Sequence, residues 1–309
     1  MSAYHRPIMV DEVIRGLDVK DGGVYFDGTL GGGNHSYEIL AANPTVKIVG
    51  TDRDPEAIEE AGKRLNEFRD RAIVVKSDFK DYERVLEELQ IEKIDGYLLD
   101  LGISSHQIDS ERRGFAYRMK NAPLDMRMDT GAALSARDVV NGYSEEALRR
   151  ILREYGEERF ASAIVRNIVR RRQTKPIETC GELEELVRDG IPPKFRTPAC
   201  ARQSFQAIRI EVNGELAGLD KCVEGLTRRL KKNGRGCVIT FHSLEDRIVK
   251  RVFQKLASGC VCPKELPVCV CGKKEEIELV GRYTASELET KENSRSKSAK
   301  LRVVRKITE

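Results

Sequence analysis

The chain has no tryptophan and no apolar run long enough to cross a bilayer. A membrane-spanning helix therefore has no segment to form it. The N-terminus, Met1-Ser-Ala-Tyr-His-Arg-Pro7, is not a signal peptide, so a cytoplasmic location is the default. Eight cysteines in 309 residues are too few for a disulfide-dense scaffold. No internal repeat is visible. Charged residues make up 34% of the chain, yet the formal net charge is only +4. The overall balance thus says little about partners, and the distribution of charge matters more.

What is present begins at Tyr25-Phe26-Asp27-Gly28-Thr29-Leu30-Gly31-Gly32-Gly33-Asn34-His35. It reads as a buried strand ending in an acid, a glycine turn and a helix start. Val46–Asp52 follows as a second strand with a terminal acid. Together they form a nucleoside-binding unit, in which glycine lets the backbone approach a ligand. The spacing Gly31-x-Gly33-x-x-Ser36 lacks the third glycine of the dinucleotide fingerprint. No Lys or Arg lies between Tyr25 and His35, which excludes a Walker-type phosphate cradle. Asp27-x-Thr29-x-Gly31-x-Gly33 looks instead like the first motif of S-adenosylmethionine-dependent methyltransferases. Four strand-like runs end in acids, at Asp27, Asp52, Asp78 and Asp100. Such a rim repels pyrophosphate and attracts a sulfonium or an ammonium. The plainer alternative is that each acid caps the turn or helix after it.

Residues 8–105 alternate helix and strand, with helices expected at Met9–Gly16, His35–Ala42, Pro55–Phe68 and Tyr82–Gln90. Asp54-Pro55 is a helix start, with Asp at the cap and Pro in the first turn. From about 108 to 200 the apolar spacing becomes helical, including Ser144–Tyr155 and Glu157–Arg172. Strand patterns return at Gly236–Phe241, Glu278–Tyr283 and Lys300–Ile307. The expected fold is α/β: a doubly wound, Rossmann-like sheet with an inserted helical domain. The expected division is 1–107 with 205–309 for the α/β domain and 108–204 for the insert. Thr290–Ala299, polar and rich in Ser and Lys, reads as a mobile loop.

Between Ser144 and Lys175 there are nine Arg or Lys against five Glu, nine minus five or +4. Between Lys291 and Lys306 there are seven basic residues against one Glu, seven minus one or +6. These segments suit a polyanion such as RNA; solvated helix faces and a basic tail are the bland reading. Cys260-Val-Cys262 and Cys269-Val-Cys271 suit a tetrahedral thiolate zinc or, equally, a reduced or redox-labile loop without metal. A catalytic metal is not expected, because no His or carboxylate in the cluster offers an open position.

Further motifs occur in order: Asp100-Leu-Gly-Ile-Ser-Ser-His-Gln107, Arg113-Gly-Phe115, Pro123-Leu-Asp-Met-Arg-Met-Asp129, Tyr155-Gly-Glu-Glu-Arg-Phe160, Ser204–Ile210, Val212-Asn213-x-Glu215-Leu216 and Phe241-His-Ser-Leu-Glu-Asp-Arg247. With them the chain resembles the bacterial 16S ribosomal RNA cytosine-N4 methyltransferases (RsmH, or MraW), from Tyr4-His5-x-Pro7 to Lys300-Leu-Arg-Val303. The resemblance implies a class I methyltransferase fold with a helical insert for substrate recognition. It implies S-adenosylmethionine as cofactor and N4-methylation of a cytosine in the decoding region. The implied partners are 16S rRNA and the 30S subunit, with no membrane and no DNA. Carried over, the cofactor contacts are Gly33, Asn34 and His35 in the loop, Asp52 on the second strand, Phe79 against the adenine, and Asp100 and Gln107. Asn34 stands where the family has Gly, and Asn tolerates a left-handed backbone. His106 stands where Pro is usual.

The acceptor amine's lone pair is delocalised into the ring, so a nearby acceptor group helps the transfer. DNA amino-methyltransferases use an Asp/Asn/Ser-Pro-Pro-aromatic turn for this, which Asp100-Leu-Gly-Ile103 does not match. Asp100 is the candidate catalytic residue, with Asp125 and His242 as further candidates near the base. Alternatives open for Asp125 and His242 are an internal ion pair with Arg127 and a strand-end structural role. Ser243–Asp246 fits a helix capping box. Phe115, Tyr117 and Phe205 are candidate stacking partners or core residues.

Overall fold

A computed structural model describes residues 7–260, 262, 268 and 270–309. The family motif at Tyr4-His5 and the fourth clustered cysteine, Cys269, lie outside the described residues. The chain divides into two compact units, one of residues 1–102 with 216–309 and the other of 103–215. Residues 103–107 and 205–215 therefore belong to the helical unit, not to the α/β unit expected to hold them. The reason is visible at the second boundary: Phe205, Ala207 and Ile208 of the helix Arg202–Asn213 pack into the helical unit's core.

Among the described residues the first unit carries seven strands. They are β1 (Val24–Asp27), β2 (Lys47–Asp52), β3 (Ala72–Lys76), β4 (Ile94–Asp100), β5 (Leu230–Thr240), β6 (Ile277–Thr284) and β7 (Lys300–Lys306). They lie in the order β3-β2-β1-β4-β5-β7-β6. The first five pair in parallel, and β7 runs antiparallel between β5 and β6. This is the expected doubly wound α/β sheet. The chain builds outward from β1 to β3, then returns to place β4 on the other side of β1. Ligands bind at such a switch point, outside the carboxyl ends of the strands.

Consecutive strand residues face opposite sides of a sheet, and the two cores follow that rule. Tyr25, Ile48, Leu98, Cys237 and Val303 join one apolar cluster. Their neighbours Phe26, Val49, Leu99, Val238 and Val304 join the other. Each such fully buried side chain contributes about 1.5–3 kcal/mol of burial energy. The helix Pro55–Arg64 starts as expected, with Asp54 accepting from the Glu56 amide at 3.1 Å. It stops before Phe68, and a 3-10 turn spans Asn66–Phe68. The expected loop at 290–299 is ordered instead: the helix Glu287–Glu292 and a 3-10 turn over Ser294–Ser298 occupy it, with Ser296 buried. No described helix is long and apolar enough to cross a membrane.

The helical unit buries the stripes Leu148, Ile151, Leu152 and Ile164, Val165, Ile168, at the spacing one helix face requires. The second stripe's helix is Ala161–Arg172, shorter than expected, because Glu157 takes a left-handed φ of +50°. Buried Asn213 latches the 126–128 turn. It accepts from the Met128 amide at 2.8 Å and donates to the Met126 carbonyl at 2.7 Å.

Candidate functional site

After Asp27 the chain turns through residues 28–33 into the helix Asn34–Ala42. Gly31 and Gly33 have φ of +52° and +78°, the region where a Cβ is strained. Gly28 is required for space: a Cβ there would sit 2.5 Å from Leu99 Cδ2 and 2.8 Å from Phe79 Cβ. The loop is tied to both neighbouring strands. Gly28 N donates to Leu98 O at 3.0 Å and Leu30 N to Thr51 O at 2.9 Å. Gly31 N donates to the Asp52 carboxylate at 2.8 Å. Asn34 is the first residue of the helix and is not left-handed. The left-handed demand expected there falls on Gly31 and Gly33.

The four strand-end acids divide into two kinds. Asp27 is buried and internally committed, accepting from Thr29 N at 3.2 Å and Ser36 Oγ at 2.7 Å. Burial pushes its carboxyl up to about 6, against the opposing Ser36 hydrogen bond. Asp78 lies beyond the end of β3, which stops at Lys76. It caps the following 3-10 turn by accepting from Lys80 N at 3.0 Å, and it lies 3.5 Å from Arg53 Nη1. These two are structural, so the expected rim of four ligand-facing acids is reduced to Asp52 and Asp100. Asp52 accepts from Gly31 N and, at 2.9 Å, Asp54 N, and burial raises its pKa.

Asp100 ends β4 beside the switch point. Its Oδ2 lies 3.6 Å from His35 Nε2, too far for a hydrogen bond. His35 Nε2 and Asp100 Oδ1 are both buried atoms without a hydrogen-bond partner. A buried polar atom left unsatisfied costs about 1–3 kcal/mol. Two such atoms at the end of β4 and the start of the helix after the glycine loop leave hydrogen-bonding capacity that a ligand's polar group can meet.

Phe79 opens the 3-10 turn after β3, half-buried, with the Lys80 ammonium 5.6 Å from its ring. In strand order, Phe79, Asp52, the glycine loop and Asp100 follow one another along the carboxyl rim from β3 to β4. S-adenosylmethionine is an adenine, a ribose, a sulfonium and an amino acid joined in a line. An aromatic face, a carboxylate, an open backbone loop and a second carboxylate fit those parts in that order. The unpartnered atoms of His35 and Asp100 fit the charged end.

Other expected residues are engaged elsewhere. In the helical unit, buried Gln107 closes a capping box: Ser104 N donates to its Oε1 at 3.0 Å, and its own amide donates to Ser104 Oγ at 3.2 Å. Asp125 pairs with Arg127 through contacts of 2.7–3.2 Å, which supports the ion-pair turn. His242 itself caps the helix Ser243–Ala257, one residue earlier than the box read from sequence. Its Nδ1 accepts from Glu245 N at 3.4 Å, and its Nε2 lies 3.0 Å from Glu245 Oε1. Phe115 and Phe205 are core residues of the helical unit, and Tyr117 packs edge-on to Phe205.

Phe195 escaped the sequence reading. It is 40% exposed, stacks at 37° against Phe160, and has Arg159 and Lys194 over its ring at 5.2 and 5.1 Å. The available signal was an aromatic flanked by cations, Lys194-Phe195-Arg196, on a polar segment.

The basic segments also divide. In the helical unit Arg149, Arg150, Arg171 and Lys175 are paired with glutamates, whereas Arg153, Arg159, Arg166 and Arg170 are exposed. The C-terminal segment is largely structural: Lys300 and Arg302 pair with Asp246, Arg305 with Glu278, and buried Lys306 lies 3.7 Å from Glu276. Its +6 is therefore not a free cationic tail.

Residues 2–307 match the model of the MraW methylase family. The chain is 49% identical over 311 residues to "Ribosomal RNA small subunit methyltransferase H 2" of Agathobacter rectalis, covering 99% of each protein. It is 50% identical to "Ribosomal RNA small subunit methyltransferase H" of Clostridium botulinum, covering 99% of this chain and 100% of that protein. A solved rRNA methylase from Streptococcus thermophilus aligns over 98% of each chain at 10% identity, with a TM-score of 0.42.

Proposed function

The chain belongs to the MraW methylase family, and on that premise we propose that it methylates N4 of a cytosine in the decoding region of 16S rRNA, in the small ribosomal subunit. The observation that carries the reading is the unpartnered, buried pair His35 Nε2 and Asp100 Oδ1 at the switch point of a methyltransferase sheet. When bound, S-adenosylmethionine supplies an electrophilic methyl group on a sulfonium.

The chain's own residues bind and orient. Asp52 would hold the ribose hydroxyls, and Phe79 would hold the adenine. Gly33, Asn34 and His35 would line the cofactor along the loop. Asp100 would hold the cofactor's positive charge and act as the acceptor toward the target amine. Excluding water around Asp100 strengthens both interactions. The exposed cations Arg153, Arg159, Arg166 and Arg170 supply phosphate contacts, which position RNA without reading its sequence. A ribosomal substrate puts the reaction in the cytoplasm, and DNA and membranes are not expected partners.

Transfer of labelled methyl from S-adenosylmethionine to small subunits and to naked 16S rRNA tests this. The label is expected on cytosine N4 after digestion to nucleosides. Protein that binds S-adenosylmethionine yet labels neither substrate would overturn the proposal and leave a cofactor-binding assembly factor in its place.

A further inference from the structure

We propose that Cys260, Cys262 and Cys271 hold a structural zinc ion in the loop between the helix Ser243–Ala257 and β6. Their three sulfurs lie within 4.8 Å of one another. Cys260 Sγ and Cys271 Sγ are 3.8 Å apart. Zinc–thiolate bonds of about 2.3 Å set the sulfurs of a tetrahedral site about 3.8 Å apart. A disulfide needs about 2.05 Å. The convergence therefore has the dimensions of a shared metal and not of a bond between two sulfurs.

The backbone supports thiolate charge at the same place. Cys262 N and Val270 N donate to Cys260 Sγ and Cys262 Sγ, each at 3.4 Å. Amide donors to ligand sulfur are the usual outer support of a thiolate site. Cys260 and Cys262, two apart in the sequence, bring both thiols to the same place. The sequence places Cys269, outside the described residues, as the fourth thiol.

Between Ala257 and Ile277 no helix or strand occurs among the described residues. Val268 and Val270 are 70% and 78% exposed, so no apolar core gathers them. Metal binding in such a connection acts as folding free energy. A set made of thiolates, with no His or carboxylate among the described ligands, suits a structural role.

The test uses the full chain, purified under reducing conditions from zinc-supplemented cells without chelator. Elemental analysis is expected to give about one zinc per chain. Removing the zinc and titrating cobalt is expected to produce tetrahedral cobalt–thiolate absorbance, a readout that needs no variant. The Cys260→Ser/Cys271→Ser double variant is expected to lose the metal while keeping S-adenosylmethionine affinity. Three results would overturn the proposal: no zinc with no cobalt–thiolate band, iron–thiolate absorbance in its place, or a mass lower by two hydrogens marking a Cys260–Cys271 disulfide.

Discussion

Replacing Asp100 by Asn keeps the side chain's size and removes its charge, which isolates the contribution of that charge. In the structure Asp100 Oδ1 is buried and unpartnered, and Oδ2 is 3.6 Å from His35 Nε2. The Asp100 amide bonds to Thr29 Oγ1 through the backbone and is untouched by the substitution. A hydrogen bond to a charged group contributes about 1.5–3 kcal/mol. Two unit charges 4 Å apart at an effective dielectric of 20 would give about 4 kcal/mol. Because the Asp100 side chain is 25% exposed, solvent screening makes that figure an upper bound. The expected loss of S-adenosylmethionine affinity is therefore about 10- to 150-fold. Calorimetry on both proteins with S-adenosylmethionine and S-adenosylhomocysteine measures it. The second ligand lacks the sulfonium charge but keeps the ammonium. A loss confined to S-adenosylmethionine puts Asp100 at the sulfonium, and an equal loss for both puts it at the ammonium. Unchanged affinity for both ligands would refute the reasoning and remove Asp100 from the site.

Three further outcomes follow from particular contacts. Asp27 titrates near 6 in the folded chain, against 3.8 for the unperturbed group, because burial disfavours its charge. The folded state then binds the proton more tightly, so this group's contribution is most favourable below about pH 4. It is lost as pH rises to about 6, on the order of 3 kcal/mol in all. Asn at this position can still accept from Thr29 N and donate to Ser36 Oγ, so Asp27→Asn should gain stability over wild type across that window. Parallel urea midpoints from pH 4 to 7 would show the assignment wrong. Gly28→Ala forces a methyl onto Leu99 and Phe79; a loss of about 1–3 kcal/mol in denaturant unfolding is expected, and full stability would mean that the strand end relaxes freely. Phe195→Ala removes an exposed ring flanked by Arg159 and Lys194. Base stacking is worth about 1–3 kcal/mol, so RNA affinity should fall about 5- to 150-fold with S-adenosylmethionine affinity unchanged. Equal RNA binding by the variant in filter or fluorescence titrations would exclude a stacking role.

Much of the architecture was legible because its signals are local. Asp54-Pro55 starts its helix where the cap chemistry requires, and the alternation in Tyr25-Phe26 and Leu98-Leu99 sends neighbours to opposite sheet faces. The segment 290–299 was misread because composition does not show the bonds within its turns, such as Ser296 Oγ donating to Asn293 O at 2.8 Å, or those of the helix that leads into it. Glu289 accepts from the Met9 amide across 280 residues of sequence, a contact that composition does not show. The helix Arg202–Asn213 was assigned to the wrong unit for the same reason, since its apolar stripe says that it packs but not against what.

The sequence by itself determined the glycine loop, the strand-end acids, the family and the class of fold, because these depend on residue type and spacing along the chain. Only the tertiary structure decided which acids are available. Asp27 and Asp100 look alike at the ends of their strands. Folding sets Ser36 against one and leaves the other facing His35 across a gap of 3.6 Å. The same holds for the cations on β7, which read as a basic tail until β6 and Asp246 supply their partners. A buried polar group's role depends on what packs beside it, and that neighbour is set by long-range contact.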